Sequence, residues 1–314
     1  MKLAAAFFRL IRFPNLFFIA LTQSLFYFCI IRPTYSTWGI TEPMGVINLL
    51  LLISASILIA AGGYVINDYF DQNIDRVNKP DRLVVGSIIK RRWAILWHLG
   101  LSLAGVALSA LVSRKLGHPL PAVFNLVTVI LLWFYSTTFK KQLLVGNIII
   151  SLLTGWVVLV LYVAISPIGL QVPEGNQMNV LTRVYKFAVL YGGFAFIISL
   201  IREVVKDIED MEGDARYGCR TMPISWGVPV SKMFVTIWLV ILIASLVIVQ
   251  VYALQIRWWF SVLYSVVFII VPLLIILRKL GPANRPGQFH EISTLTKLVM
   301  LTGILSMLFI NWYT

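Results

Sequence analysis

Nine long apolar stretches separated by short polar connections govern the reading of this chain. They fall at about 13–31, 45–66, 93–113, 119–137, 143–165, 185–205, 232–254, 258–277 and 294–312. Most reach the roughly 20 residues that a membrane-crossing helix needs. In hydrocarbon every backbone polar group must be satisfied within its own segment, so such runs read as helices. The pattern therefore predicts an all-α, polytopic membrane protein with nine transmembrane helices. No connection is long enough to form a soluble domain, and residues 1–314 read as a single integral membrane domain. The run after Arg12 is long for the core of a signal peptide and lacks an Ala-x-Ala-like cleavage site, so it reads as the first span.

Composition agrees: 59% of residues are hydrophobic, 12% are charged, and the mean hydropathy is +0.88. Soluble domains carry about twice that share of charge. A net charge of +13 invites a nucleic-acid reading, but the placement of the cations argues against one. With the N-terminus inside, the inward segments hold 20 of the 26 Lys and Arg residues and the outward ones six. That bias is what the positive-inside rule requires; it places the N-terminus in the cytoplasm and the C-terminus outside. Cys29 and Cys219 lie on different sides or depths, so neither a disulfide nor a thiolate metal site is expected.

The acidic residues are more informative. Ten of the thirteen lie within 68–81 and 203–214. Asp68, Asp71 and Asp75 in NDYFDQNID share the spacing D-x-x-D-x-x-x-D with Asp207, Asp210 and Asp214 in KDIEDMEGD. On a helix those offsets span an arc of about 60°, so each triplet presents a stripe of carboxylates. Each stripe begins where a span ends, breaks at Gly or Pro and is followed by basic residues, a weak internal repeat. Both fall on the predicted cytoplasmic face. Similar halves facing each other would set the stripes around a cavity open to the cytoplasm.

Carboxylates at span ends must face water, a partner or an ion, because an ionised Asp at the bilayer centre costs about 3 kcal/mol. One triplet alone reads as a solvated helix end; two with identical spacing point to a shared ligand. All-oxygen donors suit Mg²⁺, which takes one or two protein carboxylates and completes its shell with water and phosphate oxygens. No EF-hand loop is present. Arg76, Lys79 and Arg82 follow the first stripe, Arg216 and Arg220 the second, and Lys140 and Lys141 lie between. Arg forks and Lys point charges both suit a diphosphate.

These segments carry a family resemblance. NDYFDQNIDRVNKPDR resembles the first aspartate-rich motif of the UbiA-type intramembrane prenyltransferases, and KDIEDMEGDARYGCRTMPI resembles the second. Tyr135 to Asn147 (YSTTFKKQLLVGN) resembles the segment that follows the family's fourth span. The resemblance implies a nine-helix ring around a central cavity with a lateral opening to lipid. It also implies Mg²⁺ on both motifs and an isoprenyl diphosphate as substrate. Asn67, Asp68, Asp71 and Asp75, with Asp207, Asp210 and Asp214, would hold metal and diphosphate. Arg76, Lys79, Arg82, Tyr135, Lys140 and Arg220 would complete the substrate site.

Ionising the allylic C–O bond requires charge stabilisation on the departing diphosphate and a dry, π-rich pocket for the cation. Tyr64, Tyr69, Phe70, Trp133, Tyr135 and Phe194 are the candidate aromatics. REVVKDIEDMEGDARYGCRTMP most resembles the branch that prenylates geranylgeranylglyceryl phosphate. That implies geranylgeranyl diphosphate as donor and a membrane-associated lipid acceptor. The loop Leu83-Val84-Val85-Gly86 departs from the family pattern, leaving aromatic acceptors such as 4-hydroxybenzoate, homogentisate or naphthoquinone precursors as the alternative. A cation transporter is the reading from another class; it is disfavoured because both stripes sit at one face. Nothing calls for an obligatory protein partner beyond the bilayer itself.

Overall fold

The computed structural model describes residues 2–78, 83–166 and 175–313. Among them are nine helices long and apolar enough to cross a membrane, and no strand. They are span 1 (Phe13–Thr37), span 2 (Gly45–Asn78), span 3 (Arg91–Leu116), span 4 (Leu120–Thr137), span 5 (Val145–Ile165), span 6 (Asn176–Glu209), span 7 (Val228–Gln255), span 8 (Trp259–Leu280) and span 9 (Pro286–Tyr313). Each expected span is present. Spans 2 and 6, at 34 residues each, run well past the length a bilayer requires. Their extensions carry the two acidic segments beyond the apolar zone.

Spans 1 and 8 each contain one wide π-helical turn, at Tyr27–Ile31 and Val266–Ile270. Pro33 and Pro272 each stand two residues beyond the end of the turn. A proline ring removes one N–H and crowds the carbonyl four residues earlier, and a wider turn relieves that crowding.

The helices enclose a central cavity of about 680 Å³. Spans 1, 2, 4, 5, 6 and 9 supply its wall. Spans 3, 7 and 8 pack behind them, span 3 against spans 2 and 4, span 7 against span 6, and span 8 against span 9. Lipid gives no hydrophobic drive for helix association, so packing and interhelical hydrogen bonds hold the ring. Gln23 on span 1 donates to Ser56 Oγ on span 2 and to the Val157 carbonyl on span 5, both at 3.0 Å. Trp156 on span 5 donates to Asn125 on span 4 at 3.0 Å, and Asn125 donates to Ser109 on span 3 at 2.6 Å. Tyr191 and Ser306 share a hydrogen bond of 2.9 Å between spans 6 and 9.

At the end remote from the aspartates, Phe26, Tyr27, Ile30, Met44, Leu49, Leu161 and Val184 pack into one buried cluster that closes the cavity floor. Outward faces are apolar and bare: Leu103, Ile248 and Leu263 are each more than 60% exposed. In a soluble protein such surface would aggregate; here it is the lipid-facing wall.

A short helix, Lys2–Leu10, precedes span 1 and packs Phe7 edge-on against Trp97 of span 3, ring centres 4.6 Å apart. The turn after the first acidic segment buries Val84 and Val85 against this helix, and Val84 reaches the cavity.

Candidate active site

Both acidic segments wall the same cavity. Asp68, Asp71 and Asp75 enter from span 2, and Asp207, Asp210 and Asp214 from the end of span 6 and the turn beyond it. The first triplet lies on one unbroken helix, as the spacing predicts. The second does not: the helix breaks at Asp210 (φ −92°, ψ 4°) and resumes as Met211–Arg216. The carboxylate spacing survives because the Asp214 N–H still donates to the Asp210 carbonyl at 3.2 Å.

The two motifs touch directly through a residue that sequence reasoning passed over. Asn78, the last residue of span 2, donates to the Asp210 carbonyl and accepts from the Gly213 N–H, both at 3.0 Å. A side chain at Gly213 would overlap the Asn78 amide, so glycine is required there for the motifs to meet. The only hint in sequence was an Asn just beyond the stripe, which equally suits an ordinary turn.

Protein groups hold three of the carboxylates, two by ion pairs and one by an amide. Asp68 accepts from Arg12 at 2.9 Å. Asp71, nearly fully buried, accepts from Asn67 at 2.6 Å and forms an ion pair with Lys140. Asn147 donates to Asp207 at 2.8 Å. Lys140 comes from the connection between spans 4 and 5, which folds back over the start of span 5. Gly146 permits that approach, since a Cβ there would press on the Phe139 carbonyl and the Lys140 backbone. Burial works against the Lys140 charge, but Asp71, Tyr135 and Asp75 outweigh it and move the pKa upward. Arg12 behaves alike: burial opposes its charge, Asp68 and Tyr64 favour it, and the net direction is up.

Arg12 was read from sequence only as a topology cation. It sits in the left-handed region (φ 50°, ψ 54°) at the start of span 1, a conformation that costs a non-glycine residue about 1–2 kcal/mol. The guanidinium is held by Asp68 and lies over the Tyr64 ring, 4.9 Å from its centre. Strain of this kind persists where the surroundings over-determine the residue.

The other expected site residues divide clearly. Asn67, Tyr135 and Lys140 line the cavity. Arg76 and Arg220 are exposed and do not. Arg76 lies about 100° around the helix from Asp75, so adjacency in sequence turns it away. The Arg220 N–H is spent on the Lys141 carbonyl at 2.8 Å. Lys79 and Arg82 lie outside the described residues. Of the candidate aromatics, Tyr64, Tyr135 and Phe194 face the cavity, whereas Tyr69, Phe70 and Trp133 do not.

Below the charged end the wall turns apolar, with Phe18, Ile59, Leu132, Leu153, Met300 and Ile304. The charged end holds seven carboxylates (Asp68, Asp71, Asp75, Glu203, Asp207, Asp210, Asp214) and six cations (Arg9, Arg12, Lys140, Arg202, Lys206, Lys297). With that near-balance, binding a polyanion requires added positive charge. Among the described residues no three His, Cys, Asp or Glu side chains converge on one point as a closed metal cage. An open set is what Mg²⁺ uses when ligand phosphates complete its shell. The donors are all hard oxygens, and Asn67 Oδ1 is buried without a partner. The site therefore fits a divalent cation that arrives with a diphosphate.

Comparison with known proteins agrees with this geometry. A digeranylgeranylglyceryl phosphate synthase from Thermococcus gammatolerans is 36% identical, over 59% of this chain and 59% of its own length. One from Sulfurisphaera tokodaii is 31% identical over 94% of this chain and 96% of its own. A UbiA homologue from Archaeoglobus fulgidus, solved with GPP and Mg²⁺ bound, has the same fold, with a TM-score of 0.60 at 18% identity over 96% of this chain and 99% of that one. Residues 37–290 match the UbiA prenyltransferase family, and the chain belongs to that family.

Proposed function

We propose that this protein transfers a geranylgeranyl group from its diphosphate to the free hydroxyl of geranylgeranylglyceryl phosphate, in a Mg²⁺-dependent reaction. The observation that carries the reading is the pairing of two aspartate motifs across one cavity whose lower wall is apolar. The relatives, by their names, support the choice of acceptor.

In this reading Asn67, Asp68, Asp71 and Asp75 on one side, and Asp207, Asp210 and Asp214 on the other, hold the metal-bound diphosphate. Bound Mg²⁺ would offset the negative charge that builds as the diphosphate departs. Lys140 supplies a further positive charge from the connection above span 5, and Asn78 keeps the motifs in register. The prenyl chain descends among Ile59, Leu132 and Leu153. Tyr64, Tyr135 and Phe194 present faces that favour an allylic cation without trapping it. The acceptor hydroxyl then attacks the allylic carbon, forming an ether and releasing diphosphate and a proton. The cation bias of 20 to 6 supports a cytoplasmic motif end, with the N-terminus inside and the C-terminus outside.

The test is a competition in detergent or nanodiscs: geranylgeranyl diphosphate with geranylgeranylglyceryl phosphate and 4-hydroxybenzoate side by side. Ether product should dominate. Preferential prenylation of the aromatic would overturn the acceptor assignment.

A further inference from the structure

Span 6 and the short helix that follows it carry two rows into the cavity. Glu203, Asp207, Asp210 and Asp214 form the acidic row. Arg202 and Lys206, one turn apart on the neighbouring face, form a basic one that the diphosphate reading leaves unused. The acidic row leans toward spans 2 and 5, where Asp207 meets Asn147 and the Asp210 carbonyl meets Asn78. Lys297 of span 9, which packs against span 6, lines the same end of the cavity as Arg202, Lys206 and Arg12 and reaches Asn15 of span 1.

Four cations thus gather on the side of spans 1, 6 and 9. Arg12 is matched by Asp68, and Glu203 pairs with both Arg202 (2.8 Å) and Lys206 (3.4 Å). Among the described residues Lys297 makes no ion pair; its ammonium donates to the neutral Asn15 side chain at 2.9 Å. Arg202 Nε is buried without a hydrogen-bond partner. A half-buried ammonium without an ion pair, beside an orphaned guanidinium donor, is a vacant seat for an anion.

The wall below identifies what carries that anion. Lys297 lies over the Phe18 ring, 5.6 Å from its centre. From there Met300, Ile304 and Met307 on span 9 and Phe18 and Ile19 on span 1 continue into the cavity as an apolar strip. A doubly charged head on a long hydrocarbon tail fits both halves, and a phosphomonoester carries close to two negative charges at neutral pH.

We propose that Arg202, Lys206 and Lys297 bind the phosphate of the lipid acceptor, on the side of spans 6 and 9 next to the aspartate-bound diphosphate, with the acceptor's hydrocarbon chain against spans 1 and 9. This rests on the acceptor class given above and assigns its specificity to three residues. That placement gives each anion its own partners and brings the acceptor hydroxyl toward the allylic carbon from the side of spans 1 and 9.

The experiment measures KM for donor and acceptor separately in wild type, Lys297→Gln, Arg202→Gln and Lys297→Arg. Each is assayed with geranylgeranylglyceryl phosphate and with the corresponding phosphate-free alcohol. Wild type should prefer the phosphorylated acceptor. Each Gln variant should raise the acceptor KM by about 10- to 100-fold, what the loss of one charged hydrogen bond implies. The donor KM should stay within about twofold, the preference for phosphate should shrink to match, and Lys297→Arg should retain it. A donor KM rising in step with the acceptor KM would assign these cations to the diphosphate and overturn the proposal, as would wild-type indifference to the phosphate. Wild type that prenylates an aromatic and neither glycerol compound would remove the acceptor assignment itself, and the proposal with it.

Discussion

Asn78 is the sharpest point at which to perturb the site without touching a carboxylate. Its amide makes two hydrogen bonds to the second motif, with the Asp210 carbonyl and the Gly213 N–H, both 3.0 Å. A typical intramolecular hydrogen bond contributes about 0.5–1.5 kcal/mol net, so Asn78→Ala removes about 1–3 kcal/mol of coupling between the motifs. If that coupling sets the metal-diphosphate geometry, kcat/KM falls by about 5- to 150-fold, at one decade per 1.4 kcal/mol. Gly213→Ala reaches the same contact from the other side, because the new methyl overlaps the Asn78 amide. The double variant supplies the test. Once residue 78 is Ala the overlap is gone, so the two losses should not add, and the pair should be about as active as Asn78→Ala alone. The assay is steady-state diphosphate release, with a melting curve for each variant to separate site defects from unfolding. Additive losses, or a wild-type rate in Asn78→Ala, would refute the reasoning.

Other consequences can be measured directly. Arg12→Gly and Arg12→Ala should lose activity alike, but the glycine variant should be more stable by about 1 kcal/mol because it relieves the left-handed backbone; equal stability would contradict that account. Chelation should abolish transfer, and Mg²⁺ should restore it without changing helical content by circular dichroism; activity that survives chelation would contradict the metal assignment. Burial, helped by Asp214, pushes the Cys219 thiol up to about 11. At pH 8 about a thousandth of it is then thiolate, so maleimide labelling should be slow and should accelerate roughly tenfold per pH unit toward pH 10. Rapid labelling at pH 8 would contradict this.

The spans were legible because hydrocarbon tolerates so few backbone solutions that length and apolarity almost suffice. The first stripe was legible for a related reason: Asp68, Asp71 and Asp75 lie on an unbroken helix, so spacing gave direction. Where spacing stopped giving direction, the reading weakened. Arg76 and Arg220 were selected for adjacency, and rotation about the helix or use of the backbone N–H turns them away from the cavity. Arg12, Asn78, Arg202, Lys206 and Lys297 reach the site from four segments far apart in sequence. Arg12 gets there through a strained backbone conformation that no residue pattern announces. The break at Asp210 was hidden as well, since hydrogen bonding continues through it.

The account stands on both aspartate motifs gripping one diphosphate together. The most direct measurement is Mg²⁺-dependent binding of a non-ionisable thiolodiphosphate analogue of the donor to wild type, Asp71→Asn, Asp207→Asn and the double variant. Each single substitution should abolish most of the Mg²⁺-dependent affinity, and the double should bind little more weakly than either. Wild-type affinity in one of the single variants would mean that a single motif suffices, and would contradict the claim.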